Sequence, residues 1–132
     1  MPRRGDILAL SREHHAALIL ARDASHLSPD APRADVMAMN QRIAGYWHDA
    51  MAAHFRHEEA LLVRHPRALP TAYVVQLLDE HRVLAAMSVR AGSGRLGAAS
   101  VRDFGQRLAA HVRFEERECF DALQTASEAG SA

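Results

Sequence analysis

The chain has 132 residues, the usual size of one domain and enough for one hydrophobic core. Its 16 basic and 16 acidic residues give a net charge of zero, which argues against nucleic acid or an anionic membrane surface as a partner. One cysteine, Cys119, excludes an intramolecular disulfide and a thiolate cluster. Because no membrane-spanning run or signal-peptide core is found, we expect a cytoplasmic protein.

The apolar periodicity predicts a single domain over residues 1–132. The first helix is expected from Asp6, a plausible N-cap, to Ser25. The prolines at 29 and 32 interrupt the pattern and mark a turn. A second helix is expected from about Pro32 to Arg64, where proline-containing dipeptides end it.

The second half of the chain repeats this organisation. Thr71 is the predicted cap of a third helix, and the glycine-rich residues 92–97 form a flexible connection. Ser100 with Asp103 resembles a capping box at the start of a fourth helix. The tail from Ser127 is expected to fray, which leaves an ordered core of about residues 6–126.

Each predicted helix has one stripe of residues that should face the core. The stripes are Ile7, Leu10, His14, Ala17, Leu18, Ala21 and Ala24; Ile43, Trp47, Met51, His54, Glu58, Leu61 and Leu62; Val74, Leu77, Leu78, His81, Leu84 and Ala85; and Val101, Phe104, Leu108, His111, Glu115, Cys119 and Ala122. No segment alternates with the period of a strand. We therefore predict an all-α fold, an antiparallel up-down-up-down four-helix bundle with a metal site in its core.

The candidate metal ligands lie on these stripes, because each helix contributes one histidine. These are His14, His54, His81 and His111. Glu58 follows His54 by four residues, and Glu115 follows His111 by four, which places each pair on one helix face. A lone histidine on a stripe is usually a hydrogen-bonded core residue. Four of them, with two buried carboxylates that need a compensating charge, favour metal binding.

The donor set narrows the kind of site. Four imidazoles and two carboxylates are too many donors for one tetrahedral zinc ion. They are too few for two six-coordinate ions unless the carboxylates bridge and solvent fills the rest. The set therefore favours a dinuclear centre with open positions. Imidazole and carboxylate without thiolate suit iron, manganese or zinc.

The remaining histidines fit other roles. His14 is preferred to His15 because it shares the apolar stripe of the first helix. His57 is expected beside the site or at the surface. The others, expected at the surface or at helix ends, are His26, His48 and His65.

Other residues near the predicted ligands are expected to have structural roles. Glu59 and Glu116 are predicted to be solvated or to orient neighbouring arginines. Cys119 is expected to be an inert buried thiol. Trp47 and Phe104 are most simply core residues, although they could also wall a pocket for a gas.

Four motifs, in this order, resemble the hemerythrin-like family, the HHE cation-binding domains of the bacterial single-domain type. They are Leu10-Ser11-Arg12-Glu13-His14-His15, His54-Phe55-Arg56-His57-Glu58-Glu59-Ala60-Leu61-Leu62, Asp79-Glu80-His81 and His111-Val112-Arg113-Phe114-Glu115-Glu116. The resemblance covers nearly the whole chain. It implies two iron ions with a bridging oxo, hydroxo or water, for which zinc or manganese could substitute. By the same resemblance, the four histidines are terminal ligands and Glu58 and Glu115 bridge the ions.

Two departures separate this chain from the oxygen carriers of invertebrates. Ala85 stands where those carriers have a second histidine in the third helix. Glu115 lies four residues after its histidine, whereas the carriers have an aspartate five residues on. Both features follow the bacterial branch and put reversible oxygen transport in doubt.

The leading hypothesis is a di-iron protein that binds dioxygen or a small oxidant, or that senses oxygen, redox state or iron, rather than an enzyme. An alternative is a di-iron enzyme that acts on peroxide, nitric oxide or ferrous iron. A further alternative is a zinc-bound or metal-free interaction module. The sequence identifies neither a protein partner nor an oligomeric state.

Overall fold

The computed structural model describes residues 2–130, all of whose regular elements are helical. Met1, Ser131 and Ala132 lie outside the described residues, so the predicted domain bounds of 1–132 are not covered at either end. The α-helices are α1 (Gly5–Ser25), α2 (Arg33–Tyr46), α3 (Ala52–Arg64), α4 (Thr71–Gly92), α5 (Ala98–Phe114) and α6 (Phe120–Gly130). Two π-helical segments, Trp47–Met51 and Glu115–Cys119, join α2 to α3 and α5 to α6 without a break. Residues 2–130 therefore form four continuous helical rods, which agree with the predicted four-helix bundle.

The two π segments are a feature that the apolar periodicity did not predict. The amide of Ala52 bonds to the carbonyl of Trp47, five residues earlier, and the amide of Phe120 bonds to that of Glu115. A π turn holds one residue more than an α turn and is frequent at functional sites. Here the first segment precedes His54, and the second begins at Glu115.

The core of the bundle consists of two apolar clusters. The first is built around Ile43, Leu84, Phe104 and Leu108. The second contains Ile7, Leu10, Leu61 and Phe120. In α1, His14 lies between Leu10 of the second cluster and Ala17 of the first. The histidine layer is therefore enclosed by apolar residues on both sides along the rods.

A residue of α2, Asn40, holds the connection between α4 and α5 in place. The buried amide of Asn40 donates a hydrogen bond of 2.8 Å to the carbonyl of Leu96 and accepts one of 3.0 Å from its amide. Gly94 in the same connection has a φ of +67°, which favours glycine. This connection therefore sets the spacing of two rods that each carry histidines of the site.

The structure corrects several helix-end predictions. Arg4 is the N-cap of α1, so Asp6 lies inside the first turn. Pro70 caps α4, which makes Thr71 its first residue. The extended Gly97 caps α5, so that helix starts before Ser100, and the predicted capping box does not form.

The stripes also need two corrections. Leu18 and Leu78 are each 42 % exposed, because they lie at the margins of their stripes, and Leu20 is buried in place of Leu18. At the chain end, α6 continues through Ser127 to Gly130, a stretch that we expected to fray. None of the helices in residues 2–130 has the length and apolar character needed to cross a membrane.

Candidate metal centre

All six predicted ligand residues converge in one buried layer of the bundle. His14 comes from α1, His54 and Glu58 from α3, His81 from α4, His111 from α5, and Glu115 from the second π segment. They form two groups in which the donor atoms lie within 4.8 Å of one another. One group is His14, His54, Glu58 and Glu115, and the other is Glu58, His81, His111 and Glu115. Both glutamates belong to both groups. We call these six residues the His/Glu cluster.

Each carboxylate of the His/Glu cluster faces two imidazoles from different helices. Oxygens of Glu58 lie 3.1 Å from Nε2 of His54 and 2.9 Å from Nε2 of His81. Oε1 of Glu115 lies 3.0 Å from Nε2 of His14 and 3.2 Å from Nε2 of His111. The two glutamates thus occupy the middle of the cluster, and the histidines surround them.

A second set of carboxylates, which we call the carboxylate ring, contacts the outer nitrogen of every cluster histidine. The Nδ1 distances are 2.8 Å from His14 to Glu116, 2.8 Å from His54 to Glu13, 2.8 Å from His81 to Glu59, and 2.7 Å from His111 to Glu80. The ring closes on itself, because each rod supplies one carboxylate to the next rod's histidine. Arg3 and Ser11 also bond to Glu116 and hold it in place.

The carboxylate ring corrects the sequence interpretation. Glu59 and Glu116 were expected to be solvated or to orient neighbouring arginines, yet both orient histidines on other helices. The roles of Glu13 and Glu80 were missed. A signal was present, since every ligand candidate except His54 and His111 has a glutamate next to it in the chain. The partner, however, is a histidine on a different helix, which adjacency in sequence does not reveal.

These outer contacts fix the chemistry of the inner nitrogens. An imidazole that donates from Nδ1 to a carboxylate keeps an unshared electron pair on Nε2, the tautomer that binds metal ions. Nε2 of His54, His81 and His111 and both oxygens of Glu58 are buried without a hydrogen-bond partner among residues 2–130. Buried acceptors that face one another need a proton or a cation between them. The donor set therefore fits metal cations.

The pKa shifts of the cluster residues also show that the buried charges need compensation. Burial and the facing charge of Glu115 raise the pKa of Glu58 well above its usual value. Burial alone would also raise the pKa of Glu115, but Glu58, His111 and His14 hold it well below the usual value. Burial opposes the charged form of His111, yet the neighbouring Glu115 and Glu80 raise its pKa to about 9. Protons thus compensate the buried charge where cations could.

The remaining histidines and the cysteine lie outside the cluster. His15, His26 and His48 are exposed. His57 is half-buried, with Nε2 3.2 Å from Asp6, and His65 ends α3. Cys119 is buried, and burial together with Glu115 raises the pKa of its thiol to about 12. A thiol in that state is a poor nucleophile.

A small inner cavity of about 10 Å³ adjoins the cluster on the side of the first apolar cluster. Its lining combines cluster residues with apolar and aromatic ones, namely His14, Ala17, Tyr46, Met51, His54, Phe55, Leu108, His111, Val112 and Glu115. A space of that size holds one water-sized molecule. Trp47 and Phe104, considered as walls of a gas pocket, do not line this cavity. Phe104 is buried in the first apolar cluster, and Trp47 lies at its edge.

The fold and the site define a class: four-helix bundles with a buried histidine and glutamate cluster suited to metal cations. The family model of the hemerythrin HHE cation-binding domain matches residues 6–123. The chain therefore belongs to the hemerythrin HHE cation-binding family, as the sequence motifs indicated. Searches of curated proteins and of solved structures give no significant match.

Proposed function

We propose that the His/Glu cluster binds two iron ions and that the protein uses them to bind dioxygen, or to sense oxygen or redox state. The observation that carries this proposal is the sharing of Glu58 and Glu115 between two donor groups, each with two histidines of its own. Two shared carboxylates and four terminal imidazoles match a pair of ions better than a single one. Zinc or manganese could occupy the same donors.

The residues of the chain would have distinct roles in binding the ions. His14 and His54 would hold one ion, and His81 and His111 the other, while both glutamates bridge. The carboxylate ring would keep each histidine in the metal-binding tautomer. Reduced iron would supply open coordination positions and electrons for a diatomic ligand. The apolar clusters would exclude bulk water from the layer.

The inner cavity supports binding of a small ligand at this site. It adjoins His14, His54, His111 and Glu115, and its volume admits one water-sized molecule. A substrate larger than a few atoms has no space there without rearrangement of the bundle. The cavity therefore disfavours an organic substrate, and dioxygen, which is larger than water, would enter with small shifts of the lining side chains.

The experiment is a metal determination on untagged protein loaded anaerobically with ferrous iron, with optical spectra before and after air. We expect two irons per chain and a near-ultraviolet charge-transfer band on aeration. Reversible loss of that band under vacuum would favour binding, whereas turnover of added peroxide or nitric oxide would favour the enzymatic alternative. Less than one metal per chain with no spectral change would contradict the proposal. An unchanged melting temperature after chelation would then favour an interaction module.

A further inference from the structure

Tyr46, the last residue of α2, is a wall of the inner cavity and also of a depression on the outer surface. The outer depression has a volume of about 390 Å³ and lies between α1 and α2. We call it the α1 groove. Its lining is Ala16, Ile19, Leu20, Arg42, Gly45, Tyr46 and Asp49. Tyr46 therefore lies between the cavity beside the His/Glu cluster and the surface.

Phe55 is a second shared wall, between the inner cavity and another surface depression of about 360 Å³. We call this one the α4 groove, and its lining includes Ala52, Leu78 and Ala85. Phe55 is firmly held. It is 4 % exposed, and its ring stacks on His81 with centroids 3.8 Å apart and planes 6° from parallel. It also meets His111 edge-on at 5.5 Å, so its movement would disturb two cluster histidines.

Tyr46 makes fewer specific contacts than Phe55. Its side chain is half-buried, and no hydrogen bond, ion pair or ring contact joins it to another residue within 2–130. The first π segment begins at the next residue and carries an i to i−5 hydrogen bond. A Cβ placed on the preceding Gly45 would meet nothing within 4 Å. Tyr46 packs at the edge of the first apolar cluster without a polar or ring contact, whereas the ring of Phe55 is also held by two cluster histidines.

We infer that Tyr46 is the gate between the α1 groove and the inner cavity, and that it restricts access to small uncharged molecules of the diatomic class. The inference deepens the proposed function and rests on it, since the cavity behind Tyr46 adjoins the proposed ion-binding residues.

Charge supports the choice of uncharged ligands. Ala16, Ile19 and Leu20 give the α1 groove an apolar floor. Its one cation, Arg42, is paired with Asp23 at 2.7 Å, and its one anion is Asp49. Burial raises the pKa of Tyr46 to about 12, so its phenol is neutral at physiological pH. Nothing in this lining favours an anion over a neutral molecule.

The test uses oxidation of Met51 by hydrogen peroxide in the metal-free protein, and so does not depend on iron binding. Met51 is 2 % exposed and lines the inner cavity, and peroxide is a small neutral probe. Each event transfers one oxygen atom from peroxide to the thioether sulfur, which becomes the sulfoxide, and releases water. Peptide mass spectrometry gives the rate at Met51. Met87, which is 9 % exposed and does not line the cavity, is the internal control.

We expect Tyr46→Ala to accelerate oxidation of Met51 by about tenfold, because it removes the gating side chain. Ala16→Phe, on the exposed face of α1, should fill the α1 groove and slow it. Leu78→Trp is the matched control in the α4 groove, because Leu78 is 42 % exposed and is not part of the His/Glu cluster, and it should leave the rate within about twofold of the wild type. A rate slowed by Leu78→Trp but not by Ala16→Phe would place the route at Phe55 and overturn the inference, as would an unchanged rate in Tyr46→Ala.

In iron-loaded protein the association rate of nitric oxide should follow the same order among the three variants. A chain that binds no iron but shows the expected Met51 rates would refute the proposed function and leave the gate intact. The reverse result, two irons per chain with Met51 rates equal in all variants, would refute the gate alone.

Discussion

Nδ1 of His111 contacts Oε1 of Glu80 at 2.7 Å, although the two residues lie on different helices and 31 positions apart. Glu80 keeps its charge in this setting: burial would raise its pKa, but the hydrogen bond from His111 lowers it below the usual value. An ionised acceptor at Nδ1 makes Nε2 a stronger metal ligand. The affinity of the centre should therefore depend on residues that do not touch the metal.

Glu80→Ala should weaken metal binding by about 10- to 100-fold, the usual cost of losing such an acceptor. Competition with a chelator of known affinity measures the effect. The control is Glu118→Ala, because Glu118 is exposed and bonds to no histidine. Equal affinity in the two variants would show that the carboxylate ring has no role in metal binding.

His14→Ala and His15→Ala form a matched pair at neighbouring positions. His14 is 4 % exposed and belongs to one donor group only, whereas His15 is exposed. His14→Ala should lower the metal content from about two ions per chain toward one, since the group with His81 and His111 stays complete. His15→Ala should retain both ions. Metal analysis of the two proteins decides the assignment, and loss of metal in His15→Ala alone would reverse it.

Between pH 6.5 and 9, the melting temperature of the metal-free protein and its affinity for metal should change in opposite directions. In the metal-free protein the pKa of His111 rises from 6.5 to about 9, so the proton that it binds stabilises the fold fully below pH 6.5. That contribution is lost as the pH rises to about 9, and the raised pKa of Glu58 acts in the same direction. The melting temperature of the metal-free form should therefore fall between pH 6.5 and 9.

Metal affinity should rise over that same range, because His111 and Glu58 must release their protons to bind a cation. Thermal unfolding and chelator competition at matched pH values test both trends. A melting temperature that rises with pH in the metal-free form would contradict the electrostatic description of the cluster.

The contact between α1 and α5 depends on Gly105. A Cβ there would lie 2.6 Å from the carbonyl oxygen of Ala21 and from the amide nitrogen of Ser25, and backbone atoms cannot give way as a flexible side chain can. Gly105→Ala should therefore destabilise the metal-free protein by about 1–3 kcal/mol, the cost typical of overpacking. Because α1 and α5 would have to move apart, the substitution should also separate His14 from Glu115.

Gly45→Ala is the control for this substitution. Gly45 also lies within a helix, but a Cβ there meets nothing within 4 Å. It should stabilise the protein by about 0.5–1 kcal/mol, the difference in helix propensity between the two residues. Urea unfolding of both variants measures the two effects. A Gly105→Ala variant as stable as Gly45→Ala would mean that the rods can separate at Gly105 without a cost in stability.

The sequence predicted the rods and the six cluster residues because both depend on local spacing. His54 with Glu58, and His111 with Glu115, share a face whatever surrounds them. The apolar stripes then require those faces to meet in the core. The carboxylate ring was not predicted, since it depends on how far each rod is rotated relative to the next. Glu13 follows this pattern: it precedes His14 in the chain but bonds to His54.

The π segments were missed for a different reason. The predicted stripe positions Ile43, Trp47 and Met51 follow one another at intervals of four residues, as in an α-helix, so one inserted residue leaves no visible break in the pattern. Its effect appears only in three dimensions, where Tyr46 and Met51, five residues apart, both line the inner cavity. The apolar periodicity of the sequence therefore could not predict the cavity.

The two halves of the chain repeat the same pattern of ligand residues. The half-chain through α3 supplies the histidines of one group, and the half-chain from α4 onward supplies those of the other. Each half lends one glutamate to its counterpart, and each runs from a Glu-His pair to a His-x-x-x-Glu-Glu segment. The chemical plan is thus that of two helical hairpins paired face to face. A hairpin redesigned to pair with an identical copy would need only three ligand residues to rebuild the whole arrangement.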